Sequence, residues 1–271
     1  MPELPEVETT RAGLEPQVTG RRVLRVEVRD RRLRWPIAPD FEANLTGQYI
    51  VRIRRRAKYL LLDMAHGTLL IHLGMSGSLQ VVELSHPVSA HEHVDLVLDS
   101  GTIVRYRDPR RFGCMIWIKG EPEDHPLLNH LGPEPLGNAF SGVMLFERSR
   151  GRKSPIKNFI MDAKVVVGVG NIYASESLYM AKIHPNRQAG RVSLARFDTL
   201  AETIRQVLRV AIDAGGTTLR EYFNSEGGRG AYGDRRLVYG KEGAPCPACQ
   251  RPIRQLRIGQ RSSFYCASCQ R

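Results

Sequence analysis

The chain has 271 residues, a mass of 30.5 kDa and, with 40 Lys and Arg against 28 Asp and Glu, a formal charge of +12. An apolar fraction of 42% and a charged fraction of 25% exclude wholesale disorder and suit about two globular domains. No apolar run approaches the ~18 residues that span a bilayer, and the acidic start MPELPEVETT lacks the layout of a secretory signal, so the expected location is the cytoplasm. The positive excess, with a pI near 9.8, favours a polyanionic partner, nucleic acid first. An anionic membrane surface fits less well, because no long basic amphipathic helix is present.

Residues 5–16 read as a helix, with Pro5 in the first turn and Glu6 and Glu8 near its positive end. Strand-like segments follow from Val23, Tyr49, Tyr59, Leu69, His93, Thr102 and Phe112, the last of them FGCMIWI. They are short, rich in Val and Ile, often alternating, and separated by Gly, Asp and Pro turns, which predicts an antiparallel sandwich or barrel. Cys114 in that last run reads as a buried core thiol. Pro122 to Gly142 reads as a linker.

Helices are expected beyond it. Tyr173 to Lys182 forms one, begun by the turn Gly168-Val169-Gly170-Asn171. From Ser193 to Gly215 apolar residues recur at steps of three and four, closed by Gly215-Gly216, which is one face of a buried helix. The tail from Ser225 carries nine Lys and Arg against three Asp and Glu, half the chain's excess charge in under a fifth of its length. It is expected to touch the polyanion.

Four of the five cysteines lie in that tail, as Cys246-x2-Cys249, sixteen residues, then Cys266-x2-Cys269. The spacing matches a four-thiolate zinc site, with two disulfides as the alternative. Four thiolates fill the tetrahedron, so the metal would be structural.

The N-terminus offers another chemistry. Removal of Met1 would leave Pro2 with a secondary amine, about a tenth neutral at pH 7, where a lysine is under a thousandth neutral. Attack of that amine on a sugar C1′ gives an iminium with no N–H to lose, a persistent electron sink. Glu3 and Glu6 beside it suit either general acid–base work or complementing the helix dipole. Met75, in a Gly-flanked turn, reads equally as exposed or as core. Lys58 ends the basic run Arg52, Arg54, Arg55, Arg56, a pattern typical of a solvated strand face. His91 and His93 alternate with Glu92 near a strand start, a pattern in which metal ligation is conceivable.

Taken together, PELPEVE at the start, RRAKYLLL, HLGMSGSL, DPRRFG, HLGPEPL, VVGVGNIYASESL, IHP, AGGTTL and the cysteine segment with GQRSSFYC occur in one order from residue 2 to residue 271. The chain thereby closely resembles bacterial formamidopyrimidine-DNA glycosylases. The resemblance implies a multidomain α+β protein: an N-terminal antiparallel β-sandwich with an N-terminal helix (1–121), a linker (122–140), a helix–two-turn–helix domain (141–224), and a loop followed by a zinc β-hairpin (225–271).

It also implies excision of 8-oxoguanine and formamidopyrimidines from duplex DNA, then β,δ-elimination at the abasic site. Pro2 is then the Schiff-base nucleophile and Glu3 the proton donor. Lys58 assists β-elimination and Arg261 δ-elimination. Met75, Arg110 and Phe112 are the side chains inserted where the nucleotide flips out. His91, Lys153 and Asn171 are further DNA contacts, and Cys246, Cys249, Cys266 and Cys269 hold one zinc ion. The loop from Ser225 to Gly233 would cover the flipped base. The implied partner is damaged double-stranded DNA, met in a bacterial cytoplasm at the nucleoid, and a monomer is the default expectation. Two alternatives remain, an endonuclease VIII-like enzyme for oxidised pyrimidines and a non-catalytic zinc-stabilised DNA-binding protein.

Overall fold

The computed structural model describes residues 2–217 and 230–271; the 225–229 part of the anticipated covering loop lies outside them. The described residues form two compact units. One comprises residues 2–129 with 214–217 and 230–233, the other residues 130–213 with 234–271.

In the first unit, helix α1 (Leu4–Val18) opens with a capping box. The Glu3 side chain accepts the Glu6 N–H, and the Glu6 carboxylate accepts the Glu3 N–H at 2.8 Å, so two otherwise orphaned donors are satisfied reciprocally. Pro5 lies in the first turn, where its missing N–H costs nothing. The helix runs slightly beyond the predicted 5–16 at both ends.

Eight strands follow, with a short helix α2 (Phe41–Leu45) between the first two. They are β1 (Val23–Val28), β2 (Ile50–Arg56), β3 (Tyr59–Met64), β4 (Gly67–His72), β5 (Ser78–Glu83), β6 (Glu92–Leu98), β7 (Thr102–Arg107) and β8 (Cys114–Ile118). All pair antiparallel, in two four-stranded sheets of order β1-β6-β7-β5 and β2-β3-β4-β8. Their inward residues share one core: Val26, Leu96 and Val104 from one sheet, Leu60, Leu62, Leu69 and Ile71 from the other, and Val7 and Leu14 from α1. This is the anticipated β-sandwich.

Two elements of this unit were not anticipated, α2 and β5; β2, β4 and β6 begin within two residues of the expected positions, and the last strand differs in what it includes. Phe112 does not belong to the last strand, which begins at Cys114. Cys114 is buried as expected, and burial pushes its thiol up to about 12.

The second unit is built from α3 (Gly142–Ser149), α4 (Ile156–Met161), α5 (Asn171–Met180), α6 (Leu194–Asp213) and a hairpin of β9 (Arg254–Ile258) and β10 (Arg261–Tyr265). Ser141 caps α3 by accepting the Met144 N–H at 3.1 Å. Phe146, Phe159 and Phe197 meet edge to face, joining α3, α4 and α6. From Ile172 to Tyr179 every residue of α5 is buried. No helix among the described residues is long and apolar enough to cross a membrane.

Candidate active site and metal centre

Pro2 and Glu3 are buried at the start of α1. Glu6, 2% exposed, does more than complement the helix dipole. While one oxygen accepts the Glu3 N–H, the other accepts the Thr217 N–H at 2.7 Å. Gly216 lets the chain approach. Its φ is +80°, and an added Cβ would stand 3.1 Å from the Glu6 carboxylate. Gly216 and Thr217 of the AGGTTL motif thus dock on the start of α1.

Lys58 occupies the two-residue turn between β2 and β3, after Ala57 at φ 54°. The arginines before it are not a free solvated face. Arg52 and Arg54 pair with Asp63, Arg54 also with Glu123, and Arg55 bridges to Glu8 of α1 while donating to the Ala57 carbonyl at 3.0 Å. Arg55 therefore ties the Lys58 turn to the helix carrying Pro2 and Glu3.

His72, at the end of β4, went unnoticed in the sequence. Its ring lies 4.9 Å from that of Tyr59, and its Nδ1 accepts the Gly74 N–H at 3.0 Å, so the neutral ring carries its proton on Nε2. Burial, then the charges of Lys58 and Arg34, push its pKa down to about 4. The unfolded chain, titrating near 6.5, therefore binds this proton first as pH falls. The stability concerned is fully present above pH 6.5 and is lost toward pH 4, about 3 kcal/mol in all. Urea unfolding across that range is expected to show the loss, and His72→Asn, which keeps an acceptor for Gly74, is expected to flatten it.

Nothing in the residue pattern singled out Asp108 either, which is fully buried and organises the next cluster. One oxygen accepts from Ser76 Oγ (3.2 Å) and the Arg110 N–H (3.3 Å), the other from the Gly113 N–H (2.8 Å) and Tyr106 Oη (3.2 Å). Its backbone carbonyl contacts His93 Nε2 at 2.9 Å, and its N–H reaches the His91 carbonyl. One carboxylate thus joins the loop bearing Met75 to the loop bearing Arg110 and Phe112.

Gly113 is required there, because a Cβ would fall 2.0 Å from Tyr106 Oη and 2.3 Å from the His72 carbonyl. Pinned at that point, the chain turns Phe112 out of the strand. Met75 is 41% and Phe112 44% exposed, and the Arg110 guanidinium lies 4.9 Å from the Phe112 ring centroid. None of the three is a core residue. His91 is exposed, with φ 69°.

In the second unit, Asn171 is the first residue of α5, with Gly170 as the cap. Lys157, 1% exposed, points its ammonium at Asn171 Oδ1 (2.6 Å), the Ser262 carbonyl (2.9 Å) and Ser263 Oγ (2.7 Å). An ammonium can only donate, so the Asn171 atom facing it must be the carbonyl oxygen. The amide NH2 is therefore turned the other way, with one contact to Tyr239 Oη at 3.1 Å. It sits at the positive end of the α5 dipole, where an anion is favoured.

Arg261 is exposed at the start of β10, adjacent to Ser262 and Ser263. Glu176 of α5 accepts the N–H groups of Leu237, Val238 and Tyr239 at 2.6–3.0 Å, holding the segment that leads to the hairpin. Lys153 is exposed in the loop between α3 and α4.

Cys246, Cys249, Cys266 and Cys269 converge, with all four sulfurs within 4.8 Å of one another and none in a disulfide. In a tetrahedral Zn–S4 site the sulfurs stand about 3.8 Å apart; here Cys246–Cys269 and Cys249–Cys266 are separated by 3.9 and 3.5 Å. Burial would raise the Cys246 thiol, yet hydrogen bonds from Tyr179 and from the Ala248 and Cys249 amides bring it to about 6. Its neighbour Cys269 is pushed up to about 12 by its hydrogen bond with Cys249 and by burial. Ionising all four together calls for a divalent cation at their centre, and the site fits one structural zinc ion with no position left for substrate. It is the only such cluster of three or more metal-ligating side chains among the described residues, so His91 and His93 form no second one.

Family models match the chain along most of its length: the formamidopyrimidine-DNA glycosylase N-terminal domain over residues 1–115, the H2TH domain of the same enzymes over 131–222, and the zinc finger found in FPG and IleRS over 243–271. The chain is 59% identical over 271 residues to the formamidopyrimidine-DNA glycosylase of Syntrophotalea carbinolica and 56% identical to that of Pseudomonas aeruginosa, covering all of both chains in each case. Among solved structures, it is similar to the MutM (Fpg) protein of Thermus thermophilus, with TM-score 0.88, 37% identity and coverage of 99% and 98% of the two chains. It is also similar to a Lactococcus lactis FPG variant in complex with Fapy-dG-containing DNA, with TM-score 0.92, 31% identity and full coverage of both. The chain belongs to the formamidopyrimidine-DNA glycosylase family.

Proposed function

We propose that this protein removes oxidised purines, 8-oxoguanine and formamidopyrimidines, from duplex DNA and then cleaves the abasic strand, as a base-excision repair enzyme. The observation that carries this reading is the end-to-end likeness to formamidopyrimidine-DNA glycosylases, one of them solved on Fapy-dG-containing DNA. The acting species is a monomer in the bacterial cytoplasm. The working division is a catalytic sandwich over 1–121, a linker over 122–140, a helix–two-turn–helix domain over 141–224, and a loop with the zinc hairpin over 225–271.

Freed of Met1, the Pro2 amine attacks C1′ as the base leaves, and Glu3 supplies the proton on the sugar side. The resulting iminium acidifies C2′. Loss of that proton expels the 3′ phosphate, with Lys58 assisting at the phosphate, and a second elimination assisted by Arg261 expels the 5′ phosphate. Met75, Arg110 and Phe112 fill the gap left by the flipped nucleotide: a wedge, a guanidinium for the orphaned base and a stacking ring. Exposure of Met75 and Phe112 beside Arg110 supports that role. Asn171, His91 and Lys153 hold phosphates. Zinc, when bound, shapes the hairpin and takes no part in the reaction.

A nicking assay tests the reading. The protein is expected to cut a duplex containing 8-oxoguanine opposite cytosine, leave undamaged duplex intact and act weakly on thymine glycol. A preference for thymine glycol would transfer the assignment to oxidised pyrimidines, and binding with no cutting would leave a DNA-binding protein.

A further inference from the structure

The four sulfurs do not stand alone. Tyr179, in the last turn of α5, is 8% exposed, and its hydroxyl lies 3.2 Å from Cys246 Sγ. It packs in one cluster with Val238, Cys246, Ile253, Phe264 and Cys266, so the ring is fixed on several sides. Either atom of this contact could donate in a metal-free thiol, but a metal-bound thiolate has no proton and can only accept. The phenol O–H must then be the donor. A hydrogen bond to a charged acceptor in a buried place is among the stronger kinds.

We infer that Tyr179 is an outer-shell partner of the zinc centre, whose O–H···S bond to Cys246 orients that ligand and holds the metal more tightly than the four cysteines alone. α5 would then fasten to the cysteine-bearing segment at three heights, through Asn171 to Tyr239, Glu176 to residues 237–239, and Tyr179 to Cys246. The first two hold backbone and side chains. Only the third reaches the metal ligands.

Tyr179→Phe removes the oxygen and keeps the ring, so the cluster stays filled. Zinc retention is measured on the full-length, zinc-loaded protein by competition with a chromogenic chelator. The variant is expected to bind zinc about 10- to 100-fold more weakly, the usual cost of losing an outer-shell partner. Cobalt(II) in place of zinc supplies a second readout. A hydrogen bond stabilises the sulfur lone pairs, so its loss should move the thiolate-to-cobalt charge-transfer band to longer wavelength. Unchanged affinity with an unmoved band would overturn the inference. Weaker retention with an unmoved band would overturn it too, because loosened packing alone produces that result.

Discussion

Pro2→Gly protein, incubated with an 8-oxoguanine duplex and borohydride, is expected to give at least about 100-fold less covalent adduct and strand cleavage than the parent, while still shifting the duplex on a gel. The expected loss follows from the nitrogen. Glycine would offer a primary amine of similar basicity, but its iminium keeps an N–H, can lose that proton, and so stops withdrawing electrons. The proline iminium cannot. An N-terminal extension should be more severe still, since it converts the Pro2 nitrogen into an amide without a nucleophilic lone pair. Mass spectrometry of the reduced adduct locates the bond: attachment at residue 2 supports the assignment, and full activity with Met1 retained would end it.

The second large effect is expected at Asp108. Asp108→Asn substitutes an amide NH2 for one of two oxygens that each accept from two donors. Whichever way the amide turns, donors face donors in a fully buried place, which costs about 2–3 kcal/mol. Thermal denaturation should register a fall of about 4–10 °C. The functional consequence should be selective. The loops carrying Met75 and Arg110 with Phe112 lose their shared anchor, so release of 8-oxoguanine should fall far more than nicking of a pre-formed abasic site, which needs less base extrusion. Equal loss at both substrates would assign Asp108 to general stability alone.

Some of this was legible in the residues and some was not. The strands of β3 and β4 announce themselves through Leu and Ile runs, and α6 through its spacing. β5 (SLQVVE) and α2 (FEANL) are too short or too mixed for a period to emerge. Phe112 looked like the first residue of an apolar strand. Only the requirement that Gly113 sit against Tyr106 and His72, a long-range contact, expels it. The metal site was readable because four like residues at fixed spacing have few other uses. Asp108 and Lys157 were not, because a charged residue in a loop looks the same whether water or protein surrounds it. Lys153 and Lys157 stand four apart in one basic segment, one exposed and one buried, and nothing local distinguishes them.

Lys157 also makes the hairpin and the start of α5 a single cooperative element. Two of the acceptors around its ammonium belong to β10, a strand whose folding depends on the cysteine centre. If the metal departs, the hairpin loosens and those acceptors leave a cation behind in a dry place, directly beside Asn171. The disturbance thereby reaches a surface that bears no cysteine. Loss of zinc is thus expected to disturb the proposed phosphate contact at Asn171 as well as the hairpin itself, although neither Asn171 nor Lys157 is a metal ligand.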